Sequence, residues 1–221
     1  MFRQFRQIER GEFIVVGVDT ASGGGDYTAA QFLSKTKLDV PLVYHSPITT
    51  TEFTNLLVPV LEKIYDRTGI KPVVAYERNN GGAFEMDRLA AMNRLNKYDL
   101  FKMPTFGRID PPDAVQYGWT TSSSTRPKML QDLKQAIDNK VLRIYDKETV
   151  NELYSFVVVQ TSSSWKAQAD KGAKDDLVMS LGICYQVSLF AKEPVTEKQA
   201  QGYYDQIEDL HKKLFDEQGF Y

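Results

Sequence analysis

Phe13-Ile14-Val15-Val16-Gly17-Val18-Asp19 is an unbroken apolar, β-branched run that stops on an acid, and Ser22-Gly23-Gly24-Gly25-Asp26 follows it as a turn cluster. The run reads as a buried strand entering a tight turn. Two further strand-like stretches follow, at residues 27 to 34 and 40 to 46, separated by the polar Lys35-Thr36-Lys37 turn. Loops this short join antiparallel neighbours, so the first half of the chain is expected to open with a three-stranded meander.

Outward from the meander the pattern changes period. Phe53, Leu56, Leu57, Val60, Leu61 and Ile64 recur at helical spacing, Gly69 supplies a stop, and Pro59 is a point of bending. Residues 71 to 76 then form a strand ending on Glu77, followed by the loop Arg78-Asn79-Asn80-Gly81-Gly82 and a helix over 83 to 95. Strand, polar loop and helix in that order belong to a parallel sheet, so the fold class is α/β with a mixed sheet flanked by helices. A short strand is expected at 100 to 103, a long Pro- and Gly-containing loop at 104 to 124, and a helix at 126 to 139 with Pro127 in its first turn. One or two helical turns at 149 to 154 precede a hairpin, 156 to 160 against 165 to 169. The last core helix, 175 to 190, is apolar on most sides and must pack deeply. The expected organisation is one domain over residues 1-192 and a C-terminal helical appendage over 193-221.

Composition narrows the function classes. The 221 residues are 42% hydrophobic and 25% charged, which fits a globular domain with a real core. Lys plus Arg number 27 against 29 for Asp plus Glu, so any nucleic-acid surface must be local rather than a property of the whole charge. The one cysteine, Cys184, lies in an apolar helical stretch; it excludes a disulfide framework and a cysteine zinc site and reads as a buried small hydrophobe in a reducing compartment. No stretch is long enough to span a bilayer, and the Arg- and Gln-rich start has no signal-peptide core, so neither secretion nor membrane insertion is expected.

The acids stand at element boundaries. Asp19 ends the first strand, Glu77 ends the later parallel strand, and Asp175-Asp176 begin the apolar helix. Carboxylates beside apolar segments are costly unless compensated, and divalent cations compensate them well. Mg²⁺ or Mn²⁺ takes oxygen ligands, and a pair of ions about 4 Å apart can cleave phosphodiesters without a His, Cys or Ser nucleophile. Each acid alone also has a bland explanation: Asp19 as a turn residue, Glu77 paired with Arg78, and Asp175-Asp176 as caps of their helix.

Taken together, Gly17-Val18-Asp19-Thr20-Ala21-Ser22-Gly23-Gly24-Gly25-Asp26-Tyr27-Thr28-Ala29, Tyr76-Glu77-Arg78-Asn79-Asn80-Gly81, Gly118-Trp119-Thr120-Thr121 with Pro127-Lys128-Met129-Leu130, and Lys174-Asp175-Asp176-Leu177-Val178-Met179-Ser180-Leu181 resemble, in order, the nuclease domain of the large terminase subunit of tailed bacteriophages. The resemblance covers about residues 13 to 190. It implies a ribonuclease H-like fold and a metal-dependent endonuclease that cuts double-stranded concatemeric phage DNA during genome packaging, in the cytoplasm of an infected bacterial host. It further implies two Mg²⁺ or Mn²⁺ ions held by Asp19, Glu77 and the Asp175-Asp176 pair, with Asp175 favoured as the ligand and Asp176 close by. Asp26 matches an accessory acid, and Asn79 and Gly81 shape the loop beside the second acid. Implied partners are the terminase ATPase motor domain, the small terminase and the portal.

Two departures from the family's pattern stand out. Lys174 occupies a position where relatives often carry His, which places a cation near the site. The chain also has no Gly-x-x-x-x-Gly-Lys-Ser/Thr phosphate loop, so it reads as an isolated nuclease domain with the motor absent. Arg108, Arg126, Lys128, Lys134, Lys140 and Arg143, with Lys166, Lys171 and Lys174, are candidates for holding the DNA backbone; a solvated helix face is the competing explanation. Trp119 and Trp165 are expected in the core, and His45 and His211 lie too far in sequence from the acids to receive a role. Alternative functions are a Holliday-junction resolvase-like nuclease, an actin- or sugar-kinase-like nucleotide-binding module cradling phosphate on Ser22-Gly23-Gly24-Gly25, and a non-catalytic domain that docks on the portal or motor.

Overall fold

The structure, a computed structural model, describes residues 1–20, 27–104, 116–160, 165–169 and 174–193. In chain order the elements are β1 (Phe2–Gln4), β2 (Ile14–Asp19), β3 (Thr28–Ser34), β4 (Asp39–Ser46), α1 (Thr50–Thr68), β5 (Val73–Tyr76), α2 (Gly82–Met92), β6 (Asp99–Leu100), α3 (Thr125–Asp138), β7 (Arg143–Ile144), α4 (Lys147–Ser155), β8 (Phe156–Gln160), β9 (Trp165–Ala169) and α5 (Asp176–Phe190). Met1–Ala191 form one compact unit and Lys192–Tyr221 a second.

The main sheet runs β1-β4-β3-β2-β5-β6, with β7 pairing β4 on its outer edge. β2, β3 and β4 form the expected antiparallel meander, and β5 and β6 extend it in parallel. β8 and β9 make a separate antiparallel hairpin. Two short strands were not expected. The Arg- and Gln-rich start forms β1, and Arg143–Ile144 forms β7; both lie on β4, where Arg3 donates twice to Asp146 at 2.9 and 2.8 Å.

Helices cover both faces because β2 is apolar on both. Ile14, Val16 and Val18 join Ala30, Phe32, Tyr44, Val74 and Tyr76 under α1 and α2. Val15 joins Ala29, Leu33, Val43 and Ala75 under α3 and α5. In α1, Phe53, Leu57, Leu61 and Ile64 form the buried stripe. Thr49 and Glu52 close a capping box at its start, and Gly69, at φ 74°, ends it in the left-handed conformation. Helix α5 comes closest to the sheet, crossing β2 at Gly17, where a Cβ would stand 2.5 Å from Ser180 O and against the Cys184 backbone. The Cys184 thiol sits over Val15 O and Gln31 O at 3.2 and 3.3 Å, and burial pushes it up to about 12, so it is the inert core residue expected.

Candidate active site

Register brings the strand-ending acids together. Gly17 lies opposite Ala75 and Val18 opposite Tyr76 on parallel strands, and Glu77 N donates to Val18 O at 2.8 Å, so Asp19 and Glu77 stand side by side at one end of the sheet. By the two-residue alternation of a strand, they share the face of Gly17 and Ala75, toward α5. Asp19 is 8% exposed and Glu77 7%. Because α5 meets β2 at Gly17 through Ser180, its first turn rises toward the same end, with Asp175 as N-cap and Asp176 as first residue. Glu152 of α4 holds that turn: its Oε2 accepts from Leu177 N at 2.8 Å and Val178 N at 3.2 Å.

The electrostatics follow from this placement. Burial, then the hydrogen bond and charge of Glu77, then the charges of Asp176 and Asp175, hold the Asp19 carboxyl well above its usual range. Adjacent buried carboxylates cannot both ionise cheaply without a cation. Asn79 braces Glu77, its Nδ2 donating to Glu77 Oε1 at 3.2 Å and to Thr121 O at 3.0 Å, while its carbonyl accepts from Thr20 Oγ1 at 3.2 Å. Gly81, at φ 90°, makes the left-handed turn from this loop into α2.

Arg126, Lys128, Lys134 and Lys174, candidate DNA-binding cations that fall among the described residues, have acidic or aromatic neighbours. Arg126 donates to Asp175 Oδ2 at 2.8 Å, so it neutralises an acid of the site rather than standing free. Lys174 lies with its ammonium 3.0 Å from the Tyr27 ring centroid. Lys128 pairs with Asp132 at 2.8 Å and Lys134 with Asp138, both along α3. Trp119 is buried beside Phe101. Asp26, Arg108, Lys171 and the 195–217 stretch lie outside the described residues, and of Lys166 and Trp165 only the backbone, in β9, is described.

Sequence reading missed His45. Asp19 pairs with Ala29 and Ala29 with His45, so the histidine lies in the same cross-strand row as Asp19, two strands away on the same face. Its Nε2 is 3.8 Å from Asp176 Oδ2 and its Nδ1 3.3 Å from Glu148 Oε2. The signal was present in the meander, but only a fixed register converts it into proximity. Among the described residues no three His, Cys, Asp or Glu side chains already stand at metal-binding spacing. The donor set nonetheless fits a divalent cation: the buried carboxylates of Asp19 and Glu77 with the half-buried Asp175 and Asp176, Asp19 held above its usual range by burial and by the other acids, beside a buried imidazole nitrogen without a hydrogen-bond partner among the described residues.

No protein-family model matches the chain, and no curated protein matches it in sequence. Solved structures do. The large terminase nuclease from thermophilic phage G20c, solved with bound cobalt, superposes with a TM-score of 0.60 at 18% identity, over 83% of this chain and 89% of that one. The P22 large terminase nuclease domain matches at 0.53 and 14%, over 86% and 89%. The human cytomegalovirus terminase nuclease domain matches at 0.52 and 12%, over 81% and 83%. The chain shares the ribonuclease H-like fold of these domains, with its acids at the carboxyl end of the two central parallel strands.

Proposed function

We propose that the chain is a metal-dependent endonuclease of the large-terminase type, cutting double-stranded concatemeric phage DNA during genome packaging. The observation that carries this reading is the juxtaposition of Asp19 and Glu77 on neighbouring parallel strands, buried on the face where α5 presents Asp175 and Asp176. Asp19, Glu77 and the α5 pair would hold two Mg²⁺ or Mn²⁺ ions, which supply the Lewis acidity that activates water and stabilises the leaving oxygen of a phosphodiester. Asp19, between Glu77 and α5, would be the central ligand of that set. Asp176 Oδ2 faces His45 Nε2 across 3.8 Å while Asp175 is tied to Arg126, so the two acids of α5 have different neighbours. Asn79 fixes the rotation of the Glu77 carboxylate.

The residues proposed to hold the phosphate backbone are Lys128 and Lys134, exposed on α3, together with Arg108, Lys166 and Lys171. Arg126 belongs with them once a cation satisfies Asp175. The motor domain, small terminase and portal are the proposed partners, and the cytoplasm of an infected bacterium the place of action. No helix among the described residues is long and apolar enough to cross a membrane. Plasmid cleavage tests the proposal. Nicking and linearisation with Mg²⁺ or Mn²⁺, abolished by EDTA and by Asp19→Ala, is the expected result. Metal-independent cleavage, or full activity in Asp19→Ala, overturns it.

A further inference from the structure

We infer that His45 is a metal ligand of the acid centre, supplying its Nε2 beside Asp176 and biasing the centre toward a nitrogen-accepting ion such as Mn²⁺ or Co²⁺ over Mg²⁺. This rests on reading the acids as a metal centre.

The histidine is held by a built environment. Its ring lies against the Tyr27 ring at 4.7 Å between centroids, and its side chain is 11% exposed. Nδ1 stands 3.3 Å from Glu148 Oε2, and Glu148 is itself ion-paired to Arg3 at 3.0 Å. With Nδ1–H donated to that carboxylate, the Nε2 lone pair is left as an acceptor. Nε2 is fully buried, has no hydrogen-bond partner among the described residues, and faces Asp176 Oδ2 across 3.8 Å. In that tautomer two acceptors face each other, an arrangement that a cation between them would satisfy.

The same arrangement recurs at metal sites generally: a ligating imidazole donates its other ring N–H to a carboxylate, which fixes the tautomer and raises the ligand's basicity. Here Arg3 from β1 and Glu148 from α4 play that supporting part. Imidazole suits Mn²⁺, Co²⁺ and Zn²⁺ better than Mg²⁺, whose ligands are oxygens and water, so the nitrogen sets metal preference rather than mere binding.

The test loads wild type, His45→Ala, His45→Gln, His211→Ala and Asp19→Ala with Mn²⁺, measuring affinity by calorimetry and ligand nitrogen by pulsed electron paramagnetic resonance. Wild type and His211→Ala are expected to show nitrogen modulation that both His45 variants lose. Mn²⁺ affinity should fall about 10–100-fold in the His45 variants while Mg²⁺ affinity holds. Thermal melts establish that the variants are folded. Mn²⁺ bound through Asp19 without a nitrogen signal, or with unchanged affinity in folded His45→Ala, overturns the inference and leaves the acid centre standing. Failure of wild type to bind Mn²⁺ more tightly than Asp19→Ala overturns both.

Discussion

At the scale of the residue, the acid that the proposed chemistry needs most is one the fold would be better without. Asp19 is buried beside Glu77, with Asp176 and Asp175 adding their charge, and burial leads the causes that raise its carboxyl above the ordinary value. The sign follows: a group raised in the folded state stabilises it below the unfolded value of 3.8, and that contribution is lost as pH climbs through the folded value. Without a cation, ionising this carboxylate is therefore a cost. Asp19→Asn keeps the shape and removes the charge, so in EDTA it should raise stability by about 1 kcal/mol, roughly 3 °C in a thermal melt, while cleavage disappears. A melting temperature lowered by the substitution would show that the acid stabilises the metal-free fold. Arg126 makes the opposite case. Its pair with Asp175 is partly open to water at both ends, so Arg126→Ala should move stability by less than about 1 kcal/mol in urea titrations and act instead through weaker, less salt-sensitive DNA binding.

At the scale of the element, two glycine substitutions separate structural from functional cost. Gly17 is where α5 rests on β2, and a Cβ there would press on Ser180 O and the Cys184 backbone. Gly17→Ala should cost about 2–3 kcal/mol in denaturant and, by lifting the first turn of α5 away from Asp19, also reduce cleavage. Gly69→Ala puts its Cβ in open space but at φ 74°, so it should cost about 1 kcal/mol and leave cleavage intact. Equal activity in the two variants would break the link between α5 seating and the site. The elements involved were largely legible beforehand: the β-branched run of β2, the period of α1, and the strand-loop-helix of β5 and α2 are local signals. β1 and β7 were not legible, because two or three residues carry no periodicity and pair only where β4 offers an edge. The acids were legible as residues that border apolar elements, Asp19 and Glu77 at strand ends and Asp175 and Asp176 at a helix start. His45 was not, since its relation to Asp19 exists only through the register of β2, β3 and β4, and the tie of Arg126 to Asp175 was hidden by the 49 residues between them.

At the scale of the whole molecule, the sheet separates what stabilises the fold from what the site requires. The acids crowd the end where β2 and β5 finish. At the opposite end, where β2 and β4 begin, Arg6 donates to Glu12 at 2.9 and 2.8 Å and to Asp39 at 2.7 and 2.5 Å, tying the N-terminal segment to two strands. Burial would raise the Glu12 carboxyl, but hydrogen bonds from Arg6, Ser34 and the Glu9 backbone outweigh it and bring it to about 2. A lowered carboxyl gives stability that is complete above its unfolded value of 4.5 and lost as pH falls toward about 2. Asp146, lowered by Arg3 and Thr149 against the same burial effect, adds to the loss in the same direction. Removing the guanidinium takes the bidentate counter-charge from two nearly buried carboxylates, leaving Glu12 with Lys37 at 3.4 Å and Asp39 with the Tyr145 hydroxyl, so Arg6→Gln should cost about 3 kcal/mol at pH 7 and move acid unfolding, followed by circular dichroism, to higher pH. Because this cluster lies the full length of the sheet away from Asp19 and Glu77, the variant should cleave plasmid DNA at the wild-type rate at temperatures where it stays folded. A folded Arg6→Gln protein with impaired cleavage would mean that the two ends of the sheet are mechanically coupled and that the N-terminal tie belongs to the working site.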